Sequence, residues 1–152
     1  FMFELKKLCN SYENMTPLER GKLLTEKSAK VLLALKVLDI PGVNPIDTLA
    51  AFIIGAIVSD GVINEKEYLF MYPALIKTFG DDFDFTRIKK SFEKDKQGRQ
   101  MIKDYTQDMM MIFSFISESL KEDIIALCLC ILSIDGKISL KEKIYIRKLI
   151  KA

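Results

Sequence analysis

The chain contains no histidine, no tryptophan, three cysteines and four prolines. Missing histidine removes the commonest general base, the imidazole-dependent serine and cysteine nucleophiles, and histidine-bearing zinc sites. Three cysteines are too few, and odd in number, for a disulfide framework, which fits a reducing compartment and predicts a cytoplasmic location. Cys128 and Cys130 stand two apart in an apolar helical run, so they point to different sides and read as small buried hydrophobes. Long hydrophobic runs are lacking too. The longest, Leu49–Val58 and Ile124–Leu132, fall well short of the roughly 20 residues that span a bilayer and read as core helices. The opening FMFELKKLCN places its charges after a very short apolar stub, unlike a secretory signal.

An excess of one charge is also absent. Lys and Arg total 23 against 21 Asp and Glu, with the signs interleaved, so no footprint for nucleic acid or an anionic membrane stands out. A cluster near the C-terminus (Lys137, Lys141, Lys143, Arg147, Lys148, Lys151) reads as a solvated helix face suited to the negative end of the helix dipole. No segment alternates with period two for long enough to predict a strand.

What the chain does have is helical periodicity and a repeat. At 152 residues it has the usual length of one domain. Laid on itself with an offset of 75, LAAFIIGAIVSDGVINEKE meets IIALCLCILSIDGKISLKE, so that Asp60-Gly61 falls on Asp135-Gly136 and Glu67 on Glu142. The offset also pairs Asn44 with Ser119 and Asp47 with Glu122, each an N-cap type followed by an acid three residues on. This predicts two copies of a helix-turn-helix unit, over 44–79 and 119–151, with helical lead-ins over 16–38 and 99–117. The first lead-in starts at Thr16-Pro17-Leu18-Glu19, an N-cap, a first-turn proline and a capping acid, and ends before Pro41-Gly42. Between the units Asp84 is expected to cap a short helix through Ile88 and Phe92, and Pro73 to bend or interrupt the helix that starts at Asn64.

The shared word, Asp60-Gly61-Val62-Ile63-Asn64-Glu65-Lys66-Glu67 and Asp135-Gly136-Lys137-Ile138-Ser139-Leu140-Lys141-Glu142, is largely explained as two helix ends meeting. Gly61 and Gly136 suit a left-handed helix-closing residue. Asn64 and Ser139 suit N-caps, with Glu67 and Glu142 as their capping-box partners. Asp60 and Asp135 fit less well, because the end of a helix disfavours negative charge. A turn amide, a lysine or a divalent cation shared with Glu67 or Glu142 would offset it. The spacing mimics the second half of an EF-hand loop, but Ala56 and Val58 in one copy, and Ile131 and Ser133 in the other, stand where oxygen ligands are needed.

These paired units, their spacing and the intervening Phe83-Asp84-Phe85 resemble the tellurite-resistance TerB-like family, which includes the N-terminal region of a membrane-anchored DnaJ-like co-chaperone. The resemblance covers Pro45 to Ile150. It implies an all-α bundle of about seven or eight helices with a pseudo-two-fold repeat, an acidic site for a divalent metal, and a place in bacterial stress responses through partner proteins rather than catalysis. Lys66, Lys141 and Lys143, close to the motif acids, depart from that pattern.

The expected function is therefore a non-enzymatic module that binds other proteins, with Asp60, Glu67, Asp135 and Glu142 as candidate ligands for calcium, magnesium or manganese. No thiolate or imidazole is at hand for zinc. An enzyme using paired carboxylates is the alternative. Against it stand the missing histidine, the missing phosphate loop, and two copies expected to give their acids similar surroundings. A peripheral membrane or lipid-binding protein using Met109, Met110, Met111, Phe113 and Phe115 is a third reading, although such stripes at helical spacing are usually core.

Overall fold

Capping signals set the helix boundaries in a computed structural model of the chain, which describes residues 2–59, 62–63, 65–94 and 98–150, with backbone alone at 2–3, 58–59, 62–63, 93–94 and 98–99. Eight helices occur among the described residues: α1 Met2–Glu13, α2 Pro17–Lys36, α3 Pro45–Gly55, α4 Glu65–Phe79, α5 Phe85–Lys94, α6 Gly98–Phe113, α7 Glu118–Leu132 and α8 Leu140–Ile150. Helix α2 opens with the expected capping box, Glu19 N donating to Thr16 Oγ1 at 3.1 Å and Thr16 N to Glu19 Oε1 at 3.0 Å. Asn44 caps α3 and Asp84 caps α5 through side-chain oxygens that accept from Asp47 N and Arg87 N.

Three expectations need correction. Helix α7 starts earlier than the repeat alignment implies: Ser117, in extended conformation, accepts from Leu120 N at 3.2 Å, which leaves Ser119 inside the helix. Of the two outcomes expected at Pro73, interruption does not occur: helix α4 runs through it continuously. Pro73 lies on the exposed face, while Met71, Ala74, Leu75, Thr78 and Phe79 bury a continuous stripe whose packing offsets the roughly 3 kcal/mol cost of an interior proline. A two-residue antiparallel ladder, β1 Val58–Ser59 with β2 Val62–Ile63, flanks the first Asp-Gly corner, too short to leave a period-two signal.

The two long apolar runs form the centre of one buried cluster. Every residue from Leu49 to Gly55 in α3 is buried, as are Ile124 and Leu127–Leu132 in α7. Helix α2 packs chiefly along α7 and α3 along α6. The methionine-rich stripe divides: Met109 and Phe113 join the core with Ile112, whereas Met110, Met111 and Phe115 are 40%, 46% and 60% exposed on the outer side of the turn. No helix among the described residues is long and apolar enough to cross a membrane. Cys9, Cys128 and Cys130 are buried free thiols, and burial pushes the Cys128 thiol up to about 12.

Candidate functional site

The second Asp-Gly corner is built by α7 ending and α8 beginning. Gly136 adopts φ +90°, the left-handed conformation that closes the turn, and its N–H donates to Ser133 O at 2.8 Å. Asp135 Oδ1 accepts from Lys137 N at 3.2 Å, so the aspartate bonds a turn amide. Ile138 is buried, and its N–H donates to Glu13 Oε2 at the end of α1. Ser139 and Glu142 complete a reciprocal capping box at 3.1 and 2.9 Å. Of the first corner, Asp60, Gly61 and Asn64 lie outside the described residues.

The site residues assemble differently from their expected pairing within each copy. Glu67 in the first turn of α4 meets Glu142 in the first turn of α8, so the motif glutamates meet each other across the repeat. They line an open pocket of about 560 Å³ with Asp135, Lys66, Lys137 and Phe70. Glu142 is 3% exposed. Its Oε1 accepts from Ser139 N, but Oε2 has no donor. The Glu67 carboxyl stands close to that of Glu142, and two carboxyl groups can bond each other only when one of them carries a proton. Burial raises both groups. It takes Glu142 to about 7, against the pull of the Ser139 bonds and with help from the Glu67 charge, while Asp135 adds to the rise of Glu67. Glu142 is buried and Glu67 half-buried, so the expected similarity of the two environments does not hold.

A carboxyl whose folded pKa lies above its ordinary 4.5 binds a proton more tightly in the native state, so stability declines as pH rises from about 4.5 to about 7 and levels off above. Glu142→Gln keeps an oxygen for Ser139 N and gives Glu67 an amide donor. It should flatten that decline and raise stability at pH 8 by about 1–2 kcal/mol. Thermal melts at pH 5 and pH 8 check this; a variant less stable than the parent at pH 8 contradicts it.

No family model, curated protein or solved structure matches this chain. The chemistry of the site therefore rests on its own geometry. Among the described residues no three of Asp, Glu, Cys and His are arranged as a metal-ligand set. Two carboxylates with one unsatisfied oxygen can hold a proton or a weakly bound, mostly hydrated hard cation.

Two further residues brace this region and escape the sequence reading. Arg20 of α2 is 8% exposed and reaches Ser133 at the corner, and Tyr145 of α8 stacks on Phe52 of α3 at 4.4 Å. Arg20 left a signal, a charge at the helical position ahead of Leu24, Val31 and Leu35 on the buried stripe. Tyr145 left none, because its repeat equivalent Phe70 is 57% exposed.

Proposed function

We propose that this chain is a non-enzymatic, TerB-like interaction module of a bacterial stress response of the tellurite-resistance type, in which Glu67 and Glu142 together bind a divalent cation. One observation carries the cation reading: a carboxylate oxygen buried without a donor, facing a second carboxylate at an open pocket. A cation there would give Glu142 Oε2 the partner it lacks and tie the start of α4 to the start of α8. Oxygen ligands favour calcium, magnesium or manganese over zinc. With two protein carboxylates, most of the coordination shell falls to water and backbone carbonyls, and Lys66 and Lys137 at the pocket compete for the acids. Affinity should therefore be modest.

Calorimetric titration of the metal-free protein with calcium, magnesium, manganese and zinc tests this. Saturable heat with the first three, lost in Glu142→Gln, supports it; no heat at millimolar cation with a folded protein rejects the cation site. The unequal burial of the two glutamates favours one second reading, acid–base work by a carboxylate pair. Turnover of ester, glycoside or phosphate model substrates, abolished by Glu142→Gln, would support an enzyme instead.

A further inference from the structure

A second concavity, of about 570 Å³, lies away from the carboxylate pair, between α1 and α7, with the ends of α6 and α8 closing one side. Its floor is buried and apolar, with Leu5, Phe113 and Leu149 at its base, and Leu8, 40% exposed, on one wall against Ile125 on the other. Tyr12 also lines it. This tyrosine is 6% exposed, and its hydroxyl makes no hydrogen bond among the described residues. Its oxygen is not among the buried polar atoms left without a partner, so it opens onto the groove and meets solvent there, free to exchange water for a ligand group.

The rim is acidic against the background of a chain with net charge +2. Glu4, Glu118, Glu122 and Asp123 stand around the opening with only Lys27 and Lys121. Both lysines are already neutralised, Lys27 by Asp123 at 2.6 Å and Lys121 by Glu118 at 2.9 Å. Glu4 and Glu122 are left without an ion pair among the described residues. An apolar floor, an acidic rim and an unspent hydroxyl define the complement: an apolar anchor flanked by positive charge.

We propose that the α1–α7 groove is the docking site for a basic amphipathic segment of a partner protein, whose apolar face enters between Leu5, Leu8 and Phe113 while its lysines or arginines meet Glu4 and Glu122. The segment lies between two helices, as an amphipathic helix does in a hydrophobic groove. The Tyr12 hydroxyl donates to a polar group of the segment at the groove floor. Local negative potential at the rim favours a basic segment over an acidic one.

The test uses the whole chain and a fluorescent synthetic peptide of about 14 residues, leucine on one face and lysine on the other. Its partner probe has every lysine replaced by glutamate. Binding is followed by anisotropy, and the site is mapped by backbone amide NMR. The lysine peptide should bind with shifts centred on α1 and α7, and the glutamate peptide at least about tenfold more weakly. Glu4→Lys with Glu122→Lys, both surface changes, should weaken the lysine peptide by about tenfold or more. Tyr12→Phe, which deletes only the hydroxyl, should weaken it by a factor of about 3. Equal binding of the two peptides, an unchanged affinity in the charge-reversed variant, or shifts centred on Met110, Met111 and Phe115 would overturn the proposal, as would absence of peptide binding. Affinity should not change when calcium is added, which separates a failure here from a failure of the cation site.

Discussion

Replacing Arg20 with alanine is expected to lower the unfolding free energy by about 3 kcal/mol, the sum of a lost buried hydrogen-bond hub and a cavity. Arg20 Nη2 donates to Tyr12 O at 2.9 Å and Met15 O at 3.4 Å, and Nε donates to Ser133 Oγ at 3.3 Å. Tyr12 lies in the last turn of α1 and Met15 just beyond it, so the guanidinium caps that helix where its dipole is negative. No carboxylate pairs with Arg20 among the described residues; its charge is balanced by carbonyl and hydroxyl oxygens alone. Removing it strands a buried acceptor and leaves the Ile138–Glu13 bond to hold the end of α1 at the second Asp-Gly corner. Lysine at this position keeps the charge but not the planar fork, so Arg20→Lys should recover only part of the loss. Urea denaturation reads both variants. A loss below about 1 kcal/mol for Arg20→Ala would show that the hub is not a stability determinant.

Gly55→Ala is expected to destabilise by about 2 kcal/mol, even though alanine is the better helix former by about 1 kcal/mol. A Cβ at Gly55 would stand 2.6 Å from Tyr145 Oη and 3.6 Å from the Phe92 ring. Tyr145 cannot easily retreat, because it is buried, stacked on Phe52 and donates to Phe52 O at 2.7 Å. The overpacking term therefore outweighs the propensity gain. Deleting the offending atom tests the cause: in the Gly55→Ala background, Tyr145→Phe should cost less than it does in the parent. A melting temperature raised by Gly55→Ala alone would contradict the clash.

Local grammar was readable from the chain because it acts over three or four residues. Thr16 with Glu19, Asn44 with Asp47, and Ser139 with Glu142 bond as their spacing predicts. Where two residues offer equivalent chemistry, local grammar does not choose between them: Ser117 and Ser119 are both acceptable caps, and Ser117 takes the role. Pro73 escaped because a proline on an exposed face costs less than the stripe around it contributes. The methionine run divided between core and surface because adjacent helical positions differ by 100°, and composition alone carries no phase.

The site was half legible for a similar reason. Glu67, Asp135 and Glu142 were singled out from one motif, and the structure gathers them at one pocket. Their pairing was not legible. Spacing within a copy suggests aspartate with its own glutamate, whereas tertiary packing brings the two glutamates together and buries one of them. Asp60 lies outside the described residues.

The central claim, that the glutamates of the two repeats form one cation site, is tested most directly by carboxyl-carbon NMR of Glu67 and Glu142 during calcium addition at pH 8. One site predicts that both resonances move together, with a single dissociation constant in the millimolar range or tighter, and that neither moves in Glu142→Gln. Resonances that stay fixed through about 10 mM calcium, or that move with unrelated midpoints, would contradict it.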